Sequence, residues 1–200
     1  MIKSSYYLFA AAVIFLILFA AGCDSSADSP ALLRDFFPSE AGNSWIYQGE
    51  GIEYASFSRE IIFSQDNLAQ FTEDNGGTII TAVFQITDDS ITRVYFEPES
   101  YDPTNLLETG FTPNDNTIIL KSPLEIGTIW GDPDEQREIV DIKAQVTTEP
   151  GLFEECIKVK TSYPDSVIYE YYSQGVGLVK REFESGEYRV TSTLEKFDIK

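Results

Sequence analysis

Most of this chain alternates with a period of two residues, and turn-forming residues break the alternation at short intervals. In "TIITAVFQI", Ile80, Ala82, Phe84 and Ile86 fall on one side of an extended backbone. In "IVDIKAQV", Val140, Ile142, Ala144 and Val146 do the same, with Asp141, Lys143 and Gln145 opposite. Successive side chains of a strand point to opposite faces, so these segments read as half-buried strands of an antiparallel sheet. The turn signals are "EDNGG" at 73–77, "TDDS" at 87–90, "EPG" at 149–151, "YPDS" at 163–166 and "ESGE" at 184–187. Their spacing is that of a β-meander. The expected fold is mostly β: a single curved antiparallel sheet or open half-barrel. Helical periodicity is confined to "SPALLRDFF", where Ser29 caps, Pro30 suits the first helical position, and Leu32, Leu33, Phe36 and Phe37 share a face. A short N-terminal helix is expected there.

The chain begins differently. Lys3 precedes an unbroken apolar run from Leu8 to Ala21, which ends at Gly22-Cys23. The run is shorter than the roughly 20 residues of a membrane-spanning helix and has the form of a secretory signal, residues 1–22. Its last residues, Ala20-Ala21-Gly22-Cys23, resemble a bacterial lipobox, with Ala20 in place of the usual Leu. That resemblance implies cleavage before Cys23, lipidation of Cys23 and attachment to a membrane through the N-terminal lipid. A polar tether then runs over residues 23–30, "DSSADSP" following the cysteine. The remainder, 31–200, suits one β-rich domain. Loss of Lys3 takes the formal charge from −19 to −20. So acidic a surface argues against nucleic acid as a partner. With Cys23 lipidated, Cys156 has no intrachain partner, and burial is its expected state.

Two segments share the pattern P-x-E-x-G-x-x-W: Pro38, Glu40, Gly42, Trp45, and Pro123, Glu125, Gly127, Trp130, which include the only two tryptophans. Each is followed by a similar strand, Arg59-Glu60-Ile61-Ile62 or Arg137-Glu138-Ile139-Val140. Later come Asp89-Ser90-Ile91 and Asp165-Ser166-Val167. The offsets are 85, 78 and 76 residues. The order predicts an internal duplication, with repeats at 38–96 and 123–172. Glycine before a strand suits a turn with positive φ, and Trp three residues later drops a large apolar surface into a core. A strand-opening device used twice explains the motif without a ligand. A binding role requires both tryptophans to line one shared cavity.

"FFPSEAGNSWIY", "SPLEIGTIW", "EPGLFEECIKVK" and "YYSQGVGLVKREF" together resemble segments of small bacterial envelope lipoproteins of the TapB-like kind. More distantly, the architecture resembles the lipoprotein-carrier proteins, whose curved sheet forms a half-barrel around an acyl-chain cavity. The first resemblance implies a β-rich envelope domain with no established activity.

Conventional catalytic chemistry is scarce. The chain has no histidine, which removes Ser-His-Asp and Cys-His catalysis and the usual zinc sites. It has no S-x-x-K, no G-x-S-x-G and no phosphate-binding glycine loop. Neither a cofactor nor an enzymatic role is expected. "GDPDEQRE" offers Asp132, Asp134, Glu135 and Glu138 as hard oxygen ligands, but a solvated acidic loop is the default reading. Around Cys156, alternation puts Lys158 and Lys160 on its face and Phe153, Ile157 and Val159 on the other. "RVYFEPESY" and "IYEYYSQGVG" place aromatics on both strand faces. Either both faces are covered, or one lines a groove for an apolar or sugar-like ligand. The candidate ligand-binding residues are Trp45, Trp130, Tyr95, Tyr171 and Tyr172. The expected role is a lipid-anchored envelope protein that binds an apolar or amphipathic ligand. The alternative is a structural subunit that docks another envelope protein through a sheet edge.

Overall fold

Twelve strands follow one another in the computed structural model, which describes residues 31–200. Residues 1–30, and with them the signal segment, Cys23, the tether and the capping pair Ser29 and Pro30, lie outside the described residues. The strands are β1 (Ser44–Glu50), β2 (Phe57–Gln65), β3 (Leu68–Asp74), β4 (Ile79–Ile86), β5 (Ser90–Glu97) and β6 (Thr117–Lys121). They continue with β7 (Ile129–Asp132), β8 (Glu135–Thr148), β9 (Gly151–Ser162), β10 (Val167–Ser173), β11 (Gly177–Ser185) and β12 (Tyr188–Asp198). They form one antiparallel sheet in the order β6-β5-β4-β3-β2-β1-β12-β11-β10-β9-β8-β7. The meander therefore returns on itself, the last strand pairing with the first, and stays open only between β6 and β7. Across that seam the indole N–H of Trp130 donates to the carbonyl of Ile118 at 2.8 Å. The sheet is curved almost to a closed barrel. Register shifts such as those at Ile46/Tyr47, Ile61/Phe63, Val83/Phe84 and Tyr171/Tyr172 supply curvature, since each bulge tightens the local twist.

Alternate turns of a meander lie at alternate ends. The β2–β3, β4–β5 and β10–β11 turns mark one mouth, here the lower; the β7–β8 and β9–β10 turns mark the upper. The N-terminal segment plugs the lower mouth. Leu33–Phe36 is the expected short N-terminal helix, wound as a single 3-10 turn. At three residues per turn, Leu33 and Phe36 eclipse on one face, and both are buried with Phe37. Leu32, expected on that face, is 53% exposed. Arg34 pairs with Asp88 in the β4–β5 turn, and the N–H of Gly175, in the β10–β11 turn, donates to the carbonyl of Asp35 at 2.7 Å. The plug thus ties opposite sides of the ring.

A short α-helix, α1 (Leu106–Thr109), sits in the long β5–β6 connection and is capped by Asn105, whose side chain accepts from the N–H groups of Leu107 and Glu108. Gln70, fully buried, donates to the carbonyl of Thr104 and accepts from the N–H of Leu106. The connection therefore covers the outside of the sheet over β3, and Gln70 and Val83 are buried although they lie on paired strands at that outer face.

Two face assignments differ from the expectation. Ile139 is fully buried and Val140 is not, because three register shifts separate β8 from β9 between Ile139 and Val146; Ala144 and Val146 are buried as expected. Cys156 is fully buried, as expected, but it stands opposite the buried Ala144 and not on a face with the half-buried Lys158 and Lys160. Glu155 before it has φ 54°, which interrupts the alternation at that point.

Candidate functional site

The repeated tryptophan motif builds the same local structure twice. Gly42 and Gly127 have φ of 90° and 89°, a region that favours glycine. The N–H of Gly42 donates to the carbonyl of Ile61 at 2.8 Å, and that of Gly127 to the carbonyl of Ile139 at 2.9 Å. The N–H of Ile61 returns to the carbonyl of Asn43, and that of Ile139 to the carbonyl of Thr128. These bonds fix the register so that Trp45 stands opposite Arg59, and Trp130 opposite Arg137. Opposed residues share a face. Each motif thus sends one tryptophan and one arginine towards the interior. The third sequence match does not extend the equivalence. Thr87–Ser90 and Tyr163–Ser166 make the same turn hydrogen bond, 2.9 Å in each, but one joins β4 to β5 at the lower mouth and the other joins β9 to β10 at the upper. Residues 38–96 hold one more strand than 123–172, so the two segments do not match strand for strand.

A shift of six strands is the relation that the interior follows. Arg59 lies on β2, Arg93 on β5, Arg137 on β8 and Arg181 on β11, one arginine on every third strand of the ring. They are four of only six arginines in a chain of net charge −19. All four line a chamber of about 340 Å³. Glu73, Glu135, Glu170, Thr161, Tyr163 and Tyr172 complete its polar lining; Phe71, Phe84, Phe96, Ile80 and Ile168 supply apolar wall. The chamber reaches the upper mouth at Glu135 and Tyr163. Towards the plug the interior is nearly filled: the space among Phe37, Trp45, Tyr47, Ile61 and Leu178 is about 20 Å³.

The charges pair in three groups. Arg59 donates twice to Glu73 Oε2, at 3.1 and 2.5 Å, with its guanidinium over the Phe71 ring. Glu170 accepts from Arg181 Nε at 3.1 Å on Oε1, and from Tyr172 at 3.0 Å and Arg137 at 3.5 Å on Oε2. Arg137 also donates to Glu135 at 3.1 Å. Arg93 pairs with Asp115 and lies over the Phe96 ring. Burial opposes ionisation of Glu170, but Arg181 and Arg137 outweigh it and hold its carboxyl below the ordinary range. Arg59 does the same for Glu73. Burial and the Glu170 charge push the Tyr172 hydroxyl well above its ordinary value, so it stays a proton donor.

Of the five residues proposed from sequence for a ligand, only Tyr172 lines this chamber. Trp45 and Trp130 are 5% and 6% exposed and do not share a cavity. Trp45 donates to the carbonyl of Val176 at 2.7 Å within the packed compartment, while Trp130 closes the seam. Tyr95 packs edge-on against Phe111 under the β5–β6 connection. Tyr171 donates to Glu182 at 2.7 Å, with Lys158 over its ring. Aromatics occur on both faces because both faces are partly covered. Among the described residues, no three acidic or cysteine side chains converge as a metal site; Asp132, Asp134 and Glu135 lie about the tight β7–β8 turn. Burial pushes the Cys156 thiol up to about 11, which makes it a poor nucleophile at neutral pH. The four interior arginines were missed as a group, although each lies two residues from a fully buried Ile or Val: Ile61, Ile91, Ile139 or Val179.

No family model and no curated protein sequence matches this chain. Two solved structures are similar to it. One is a Bacteroides fragilis protein provisionally described as exported and of YmcC-like fold, with a TM-score of 0.48 and 16% identity over 84% of this chain and 99% of the other. The second is a Parabacteroides distasonis protein provisionally described as a lipoprotein, with a TM-score of 0.43 and 17% identity over the same shares.

Proposed function

We propose that this protein is a lipid-anchored, non-enzymatic binding module of the bacterial envelope, whose barrel chamber holds a small amphipathic ligand. The observation that carries the reading is the chamber itself. It is walled on one part by aromatic and aliphatic side chains and on the other by arginines and glutamates, and its volume suits a small molecule. The lipobox-like Ala20–Cys23 supplies the anchor. Residue 31 leads into the lower plug, so the anchor would join that end and the upper mouth would face away from the membrane. Glu73 and Glu170 are ion-paired and held ionised, which suits binding and not general-acid work. Docking through a sheet edge is less favoured, because β6 and β7 are short and face each other across the seam.

Native mass spectrometry of the full chain purified from its own membrane tests the reading. A small ligand should remain bound to the wild type and be lost from Ala82→Phe, which fills the chamber from a fully buried position. Equal ligand load on both proteins, or none on either, would overturn it. Labelling with a radioactive fatty acid tests the anchor: Cys23→Ser should lose all label.

A further inference from the structure

We infer that the chamber is selective for ligands with an anionic oxygen head, a carboxylate or a phosphate monoester, received by Arg181 and Arg59 with an apolar tail against the phenylalanine wall. This rests on the chamber reading above and names the ligand class within it.

The first argument is a count of unused hydrogen bonds. A guanidinium carries five N–H donors and no acceptor; a carboxylate is acceptor only. Glu170 already accepts from two arginines and a tyrosine. Glu73 accepts from both Nε and Nη2 of Arg59, on Oε2 alone. Arg181 spends only Nε on Glu170, and among the described residues its two Nη atoms have no hydrogen-bond partner; nor has Nη1 of Arg59. Of the four oxygens of Glu73 and Glu170, only Oε1 of Glu73 has no donor among the described residues, so unused donors outnumber unused acceptors. A ligand that completes the set brings acceptors. A cation would find that single oxygen, beside guanidinium groups that repel it.

Charge leaves this open to an anion: the four arginines are matched by Glu73, Glu135, Glu170 and Asp115, so a bound oxyanion is held by unused donors and not by excess charge. Arg59 and Arg181 both lie over the Phe57 ring, at 5.7 and 5.5 Å from its centroid, so the two heads are directed to one region. A forked donor matches a carboxylate or phosphate in two parallel bonds, which a lysine cannot reproduce. Phe71 and Phe84, stacked at 4.8 Å, form the adjoining apolar wall.

The test is isothermal titration of the full chain, held in phosphatidylcholine nanodiscs, with octanoate, octyl phosphate, 1-octanol, octylamine and inorganic phosphate. Octanoate or octyl phosphate should bind at least about tenfold tighter than 1-octanol, the value of one charge-assisted bond. Octylamine should not bind. Arg181→Lys keeps a cation beside Glu170 but removes the fork. It should weaken the anionic amphiphiles by about tenfold and leave 1-octanol unchanged. Phosphate binding as tightly as octyl phosphate would assign the site to a free oxyanion and overturn the tail. Equal binding of octanoate and 1-octanol would overturn the anionic head while leaving the chamber reading in place. No binding of any amphiphile would overturn both. If Arg181→Lys melts like the wild type and binds octanoate unchanged, Arg181 is not the receiving group and the assignment fails.

Discussion

The packed compartment and the chamber are walled by the same strands, yet they are built on opposite principles. β1 and β2 give Trp45, Tyr47 and Ile61 to the first, and β2 gives Arg59 to the border of both. The packed side retains about 20 Å³, room for little more than a water molecule; the hollow side has about 340 Å³. Dispersion and apolar burial hold the first together, and these fail when any large side chain is removed. The second holds ionised groups, which are tolerated inside a protein only when partnered and hydrated. One ring can carry both because the plug and tryptophan side closes it, while the arginine side contributes little to that closure.

Trp45→Ala gives the largest expected effect. It should cost about 3–5 kcal/mol, a large share of the roughly 5–15 kcal/mol of a typical domain, and lower the melting temperature steeply. Trp130→Ala should cost less in the same thermal melts, because the seam beside it opens onto a groove of about 350 Å³ that water can enter. Equal losses would show that the seam is as tightly packed as the plug side. Glu170→Gln removes the carboxylate that joins β10 to Arg137 and Arg181 and should cost about 1–3 kcal/mol. A loss matching that of Trp45→Ala would break the contrast and make the chamber a dry core.

Acid titration sharpens the same contrast. Glu73 and Glu170 bind a proton less readily in the folded chain than in the unfolded one. Their contribution is therefore complete above the ordinary carboxyl value of 4.5 and is lost as pH falls through the depressed folded values. The melting temperature should fall below pH 4.5, and less steeply in Glu170→Gln. The smallest effect belongs to Cys156. Cys156→Ala should cost about 1 kcal/mol, and iodoacetamide at pH 8 should label the wild type only as fast as it unfolds.

The meander was legible because alternation and turn chemistry are local. "TIITAVFQI" reads directly as β4, with Ala82 and Phe84 in the core. Closure was not legible, because pairing of β1 with β12 joins the two ends of the domain and leaves no local mark. Faces were lost where bulges fall, at Val140 and at Cys156, since one extra residue inverts the assignment until a further bulge restores it, as at Ala144. The short N-terminal helix was legible, but Leu32 was put on its buried face because the apolar spacing fits three residues per turn as well as 3.6 over so short a span. The chamber was half visible. Arg93 beside "ITRVYF" and Arg181 in "VKREF" interrupt apolar strands of a strongly acidic chain, in phase with buried aliphatic residues. Aromatic content drew attention to Tyr95 and Tyr171, which the structure places under a loop and beside lysines.

Pairing of β1 with β12 also sets a clock. Ser44 meets Asp198 and Glu50 meets Thr191, so the first strand made must wait for the last before either has its full set of backbone partners. Lys200 then latches the arrangement by donating its N–H to the Asn43 side chain at 2.9 Å. A nascent chain holds an unfinished edge throughout its synthesis, and contacts of such long sequence separation form slowly. Losing the final dozen residues would therefore not trim the molecule. It would leave a strip of sheet with β1 and β11 newly bare, a template for pairing with another copy of itself.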